Sequence, residues 1–495
     1  MSIIHLERLD RDARTPLYCQ IAEQIRMQIS EGRLPIGTRL PTVRELASLL
    51  HVTRLTAQSA YRELQAGGWI ESTVGRGTYV AATADNDTVR AMIGHDATPD
   101  QVMRDIERLA RLSGLRSMAY AEPDPALAPS AEFLRFFSHP NAADQALSQY
   151  GSPQGDEALR VQLVNLCELR GVPTTPEDII VTAGVMQGLS LTTGCLTRPG
   201  DTVVVERPTY LGMLHVLNTF GVNALSVPMD HEGAQIDALE RIVKERKIKY
   251  FYTIPTFQNP TGICLSPARR EKLLDLARRY DFLIIEDDIY GFLAYDEKPQ
   301  LAMRSLDPQG ERIIYLSSLS KVLMPGIRIG YMVVPPVLRE QLLFYRQAID
   351  LSSPMLLQRA TAYYLQRGRF KPHIERMNIK YRERRDELMR MLALRMPRIA
   401  QWTHPKGGFS CWVTFPADSL PPDFYQLALT HGIAFTPGEA FLTEPDGYRH
   451  MRLCFGGLSP DLIREGITIL GRLLDPKAPR LVRRLPASID ERPVV

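Results

Sequence analysis

The chain has 495 residues, which predicts two or three domains. With 44% hydrophobic and 23% charged residues it has the balance of a globular protein with a large core, which excludes a disordered or fibrous chain. A net charge of +3 singles out no class of partner, and six scattered cysteines without a CxxC spacing exclude a disulfide scaffold or a zinc site.

Glu7, Arg8, Asp10, Arg11 and Asp12 precede any apolar run, so no signal peptide is expected, and no run reaches the length of a membrane span. The expected setting is the reducing cytoplasm, away from membranes. Four zones follow in order: a helical module over 12–81, a polar linker over 82–113, an α/β domain over 114–475 and a flexible tail over 476–495. Within the linker, 99–112 has the spacing of a short amphipathic helix.

In the first zone, Leu17, Ile21, Ile25 and Ile29 share one helical face after Pro16, and Gly32 ends the run. Thr42 caps a second helix reaching Leu50, and a third starts at Val52-Thr53 and runs to Gly67-Gly68. Trp69–Ser72 and Thr78–Ala81 flank Val74-Gly75-Arg76-Gly77, a hairpin with glycines at its turn. Three helices and a hairpin give the winged helix-turn-helix layout, whose third helix meets base edges with its N-terminal residues, here Thr53, Arg54, Thr56 and Gln58. Arg39, Thr42 and Arg44 suit phosphates or guanine edges, and Arg76 suits a groove at the hairpin tip. The partner expected for this zone is a double-stranded DNA operator. Six Arg against three Glu between residues 33 and 78 leave a local excess of only +3, so pattern rather than charge carries the expectation. The run Leu40-Pro41-Thr42-Val43-Arg44-Glu45-Leu46-Ala47, then Val52-Thr53-Arg54, and Gly75-Arg76-Gly77-Thr78-Tyr79-Val80 resemble the GntR family DNA-binding domain.

From 114 onward, short apolar strands alternate with helices. Candidate strands are Ile179–Thr182, Thr202–Glu206, Tyr250–Ile254, Phe282–Glu286 and Ile313–Ser317. Ligands bind open α/β sheets at the carboxyl ends of strands, and these ends carry particular chemistry. Pyridoxal 5'-phosphate needs a lysine for its aldehyde, a carboxylate for its ring nitrogen, donors for its phenolic oxygen, a stacking partner and a phosphate cup. Ser317-Ser318-Leu319-Ser320-Lys321, with Arg328 seven residues on, supplies an amine and phosphate donors. Glu286-Asp287-Asp288-Ile289-Tyr290, Thr256 through Gly262, Ala183 through Gly188 and Glu206 through Tyr210 supply the rest at four further strand ends.

These motifs closely resemble the fold-type I aminotransferases over about residues 115–473. The resemblance implies Lys321 as the cofactor's covalent lysine, Asp287 on the ring nitrogen, Asn259 and Tyr290 on the phenolic oxygen and Tyr210 stacked on the ring. It implies Ser318, Arg328 and the backbone of Val185 and Met186 around the phosphate, Tyr150 reaching a partner subunit's phosphate, and Arg452 clamping a ligand carboxylate. Ala119-Tyr120-Ala121-Glu122-Pro123-Asp124 lacks the glycine-rich stretch usual near this point, which disfavours efficient turnover.

Both resemblances on one chain match the MocR subfamily of GntR regulators. That implies a head-to-tail homodimer whose aminotransferase-like domain senses the cofactor or an amino compound. The alternative is a working amino-acid aminotransferase, similar to the aminoadipate type, with an accessory DNA-binding domain.

Overall fold

The computed structural model describes residues 6, 9–10, 16–30, 33–34, 38–66, 69–73, 77–80, 116–138, 149–296, 298, 300–421 and 424–475. The expected linker, with its short helix, and the expected tail lie outside the described residues, as does the hairpin tip with Arg76.

The N-terminal module packs three helices: α1 (Leu17–Ser30), α2 (Val43–Leu49) and α3 (Arg54–Ala66). Ile21, Ile25 and Ile29 of α1 meet Ala57, Ala60, Tyr61 and Leu64 of α3, each set at the three-to-four spacing of one helical face. Thr42 and Glu45 form a reciprocal capping box at the start of α2. Thr53 caps α3 by accepting the Thr56 N–H at 3.1 Å, so the helix starts at Arg54, later than expected. The Tyr61 hydroxyl donates to the Pro41 carbonyl at 2.7 Å and fastens α3 to the entry of α2. The hairpin forms as expected, one residue displaced on each arm. A third strand was not anticipated: β1 (Arg39–Leu40) pairs antiparallel with β3 (Gly77–Val80), which also pairs with β2 (Ile70–Thr73). Two residues carry too little alternation to be read as a strand.

The second domain opens with a two-residue strand, β4 (Arg116–Ser117), and then builds an eight-stranded sheet. Its strands are β5 (Ile179–Thr182), β6 (Thr202–Arg207), β7 (Asn223–Asp230), β8 (Gly233–Ala234), β9 (Tyr250–Thr253), β10 (Leu283–Asp287), β11 (Ile313–Ser318) and β12 (Gly330–Val333), in spatial order β5-β12-β11-β10-β9-β6-β7-β8. The five expected strands are all present within a residue or so. They read as continuous apolar runs because both faces of the sheet are covered. Three strands, β7, β8 and β12, were outside that reading; of these, β12 runs antiparallel to both neighbours and brings its start to the edge where the others end.

A C-terminal layer adds a sheet of β13 (Gln401–Trp402), β14 (Ser410–Pro416), β16 (Thr436–Pro437) and β17 (Tyr448–Cys454), while β15 (Ile433–Ala434) pairs in parallel with β4. The segment after β4 is strapped to this layer. Met118 N–H donates to the Ala434 carbonyl at 2.7 Å, and Cys454 N–H donates to the Met118 carbonyl at 2.8 Å. Residues 119–122 thereby face the carboxyl edge of the large sheet across a cleft. No helix among the described residues is long and apolar enough to cross a membrane.

Candidate cofactor and DNA sites

The cleft encloses about 250 Å³ and is lined by Lys321, Asp287, Asn259, Tyr290, Tyr210, Ser318, Arg328, Val185, Met186 and Arg452. All the residues expected around a cofactor and its ligand therefore converge, with one exception. Tyr150 is 86% exposed and lies outside the cleft.

Asp287 ends β10 with its neighbours facing the other way, as strand alternation requires. Glu286 accepts the Met303 and Arg304 amides at 2.5 and 2.7 Å, and Asp288 takes the Arg170 guanidinium at 2.7 and 3.0 Å plus the Tyr315 hydroxyl. Among the described residues Asp287 has only the Tyr252 hydroxyl, donating at 2.9 Å, and the Ile289 amide at 3.3 Å. Burial with so little support pushes its pKa up to about 7. Tyr252 was missed in the sequence, where nothing sets it apart from Tyr250 in the same strand.

Lys321 follows β11 and makes no hydrogen bond among the described residues. Part of the side chain reaches the cleft surface, but burial of the amine is the dominant influence and lowers its pKa. Glu122 across the cleft opposes that shift, and Arg452 and Arg328 reinforce it. A neutral amine is the nucleophilic form, so the setting favours bond formation to an aldehyde.

The anion cup forms where β5 runs into α4 (Val185–Leu196). Gly184 precedes the helix at φ +101° with no side-chain cap, which leaves the Val185 and Met186 amides open to an anion, while the Gln187 amide bonds the Gly184 carbonyl at 3.2 Å. A Cβ on Gly184 would come within 2.7 Å of Arg328 Nη2. Arg328 donates to the Ala183 carbonyl at 2.6 Å, and Ser318 bonds Ser320, the next hydroxyl of the same run, at 3.0 Å. On the far side, Arg452 donates to Asn259 Oδ1 at 3.0 Å, the Ala119 carbonyl at 2.5 Å and Thr436 at 2.9 Å, and stacks over Phe441. Its buried Nε has no partner among the described residues.

A carboxyl lacking a cation, an amine without an acceptor, an anion cup lined by two hydroxyls and an arginine, and a guanidinium with an orphan donor fit pyridoxal phosphate with a carboxylate ligand beside it.

In the N-terminal module Arg39, Thr42, Arg44, Thr53, Arg54 and Gln58 are exposed and Thr56 half-buried. The Thr53 and Thr56 hydroxyls bond each other at 2.8 Å, so part of their capacity serves the helix cap. Arg39 lies against Gly77 of the wing.

Residues 118–470 match the family described as aminotransferase class I and II, and residues 17–80 match the bacterial regulatory proteins of the gntR family. The HTH-type transcriptional regulator YdfD of Bacillus subtilis is 31% identical, aligned over 94% of this chain and 98% of its own. The probable rhizopine catabolism regulatory protein MocR of Rhizobium meliloti is 28% identical over 93% and 94%. The crystal structure of LysN, the alpha-aminoadipate aminotransferase of Thermus thermophilus complexed with N-(5'-phosphopyridoxyl)-L-leucine, superposes with a TM-score of 0.70. It is 30% identical and covers 75% of this chain and 94% of that one.

The Asp287 carboxyl generates a test. Its folded pKa of about 7 lies above the ordinary 3.8, so folding takes up a proton between those values and stability falls as pH rises through them. Asp287→Asn removes that cost. The cofactor-free variant should melt several degrees above wild type at pH 8, with the difference closing at acid pH, and should bind cofactor poorly throughout. Equal melting at pH 8 would show that no such charge is buried there.

Proposed function

The chain belongs to the MocR-type regulators, with a gntR-family domain over 17–80 and an aminotransferase class I and II domain over 118–470, and from that premise we propose that a ligand met in the second domain governs how the first engages DNA. The observation that carries this reading is the alignment of both modules, in one chain and in the same order, with a transcriptional regulator over nearly its whole length. The cofactor is pyridoxal phosphate. When bound, it supplies an aldehyde open to amino groups and a ring that draws electrons from whatever attaches there.

This chain's residues then divide the work. Lys321 holds the aldehyde, Asp287 keeps the ring nitrogen protonated, and Asn259 and Tyr290 donate to the phenolic oxygen. Asn259 is free to donate because its Oδ1 is occupied by Arg452. Tyr210 would stack on the ring, while Ser318, Arg328 and the Val185 and Met186 amides would take the phosphate. Arg452 orients the carboxylate of an amino-acid effector. The effector is either pyridoxal phosphate itself or an amino compound, and it acts only through unequal affinity for two arrangements of the molecule.

An 86% exposed tyrosine beside the cleft-bearing domain suits a residue that serves a second copy, so Tyr150 is proposed to complete the neighbour's phosphate site in a head-to-tail dimer. Arg44, Arg54, Gln58 and the two threonines of the α3 entry are proposed to read the operator, with Arg39, Thr42 and Arg76 on the backbone or groove. The cytoplasm is the proposed setting.

Borohydride reduction of the loaded protein should fix the cofactor to Lys321, detected as added mass on that residue, and Lys321→Ala should lack it. Loaded wild type without the adduct would overturn the cofactor assignment.

Arg44→Ala and Arg54→Ala should each weaken binding to a DNA site selected from a random pool by about 1–3 kcal/mol, with little effect on unrelated DNA. An equal loss on both, with a shallower salt dependence, would assign them to phosphates instead.

The enzyme-like completeness of the cleft favours a second reading, turnover. Ala121 and Glu122 put side chains where a glycine would let backbone approach the ligand. Transamination of an amino-acid panel should therefore be slower than about 1 per second. Faster multiple turnover would promote the aminotransferase reading.

A further inference from the structure

Glu206, next to last in β6, has 1% of its surface exposed, and every group that bonds it is a neutral donor. The Thr253 hydroxyl donates to Oε1 at 2.6 Å, and the Ile254 amide and Gln258 Nε2 donate to Oε2 at 3.4 and 3.1 Å. Burial pushes its pKa up to about 7 in spite of these bonds. A charge placed this expensively, and outside the cleft lining, calls for a structural consequence.

That consequence runs through Gln258. The same Nε2 that reaches Glu206 donates to the Pro208 carbonyl at 2.8 Å, two residues before Tyr210. Its Oε1 accepts both the Thr261 amide at 2.8 Å and the Thr261 hydroxyl at 2.7 Å, which closes the loop around Asn259. The orientation of this amide is fixed from both ends, because the Pro208 carbonyl and the carboxylate can only accept and the Thr261 amide can only donate. With both Glu206 oxygens accepting, Nε2 must face Glu206 and Pro208, which leaves Oε1 for Thr261.

We propose that Glu206 is a positioning residue which, through Gln258, fixes Tyr210 and Asn259 relative to each other before any ligand arrives. This rests on the reading of Tyr210 and Asn259 as cofactor groups. Leucine at 206 keeps much of the volume but leaves the Thr253 hydroxyl, the Ile254 amide and one Gln258 N–H without their acceptor. The Gln258 side chain then loses its anchor on β6, and the loop that holds Asn259 loses its fixed geometry. Glutamine at 206 can keep that anchor, since its Oε1 still accepts from Ile254 and Gln258.

The test uses full-length Glu206→Leu, Glu206→Gln and Gln258→Leu, titrated with pyridoxal phosphate and followed by the absorption band of the bound cofactor across pH. Glu206→Leu should weaken cofactor binding about tenfold or more and shift the pH midpoint of the band, because the donor to the phenolic oxygen is displaced. Glu206→Gln, which keeps the acceptor for Gln258, should stay near wild type in both. Binding by Glu206→Leu within about twofold of wild type with an unmoved midpoint, or Glu206→Gln no better than Glu206→Leu, would overturn the proposal. If Glu206→Leu does not fold, Gln258→Leu, which leaves Glu206 in place, should give the same two changes, and unaltered values there would overturn it equally. Trapping of the cofactor on wild-type Lys321 keeps the two readings apart: without trapping the cofactor assignment fails, and with trapping but no effect at 206 only the positioning role fails.

Discussion

A carboxyl group moved out of water needs a counter-charge or a full set of donors, and Asp287 has been left with one hydroxyl and one long amide contact. Its sequence neighbours show that the fold can do better. Asp288 faces the opposite side of the sheet and receives an arginine in two bonds as well as a tyrosine, and Glu286 receives two backbone amides. The deficit at Asp287 is local and faces the cleft. A ligand that presents a protonated ring nitrogen there would relieve it, whereas a neutral one would not. The rest of the site follows from the same geometry, because the carboxyl edge that exposes Asp287 is the edge where β5, β6, β9 and β11 also end.

Lys321 is the complement of that deficit. Two arginines and burial act against its charge while Glu122 supports it, so the cleft holds an anion that lacks a cation and an amine discouraged from being one. Neither solves the other's problem by pairing, since Asp287 bonds only Tyr252 and Ile289. Burial and the nearby carboxylate hold the Tyr252 hydroxyl well above its ordinary pKa, so it stays a donor. Electrostatics of this kind belong to a site built for a ligand carrying both an aldehyde and a basic ring.

How much of this the sequence disclosed depends on the range of the interaction. Asp287, Lys321 and Asn259 each stand next to a strand whose apolar run is visible locally, and their motifs are short. Tyr252 and Glu206 act across the sheet, on partners 35 and 47 or more residues away, and nothing in their own surroundings distinguishes them from other strand residues. β12 escaped because its Gly-Tyr-Met-Val is brief and runs against its neighbours, a direction that composition does not encode. In the N-terminal module the helices were legible from capping and spacing. The double use of Thr53 and Thr56, as cap and as surface, emerged only from the hydroxyl contacts. Arg452 was legible as a motif, yet its grip on Asn259 joins residues 193 positions apart.

That grip ties the ligand end of the cleft to the cofactor end. Arg452 is held by the Ala119 carbonyl and Thr436 and reaches Asn259 with its remaining terminal nitrogen, so the strap over 116–122 sets the guanidinium as firmly as β17 does. The strap is itself pinned beyond the cleft, where the Asp124 amide meets the Tyr381 hydroxyl and the Asp124 carboxylate meets Arg384. Ala121 and Glu122 lie between these two anchors, and a glycine-rich segment at this place would be free to move toward a ligand in a way that this one is not. A strap anchored at both ends, with an acidic side chain in the cleft, suits a pocket that holds its ligand and reports it better than one that must open and close at every turnover.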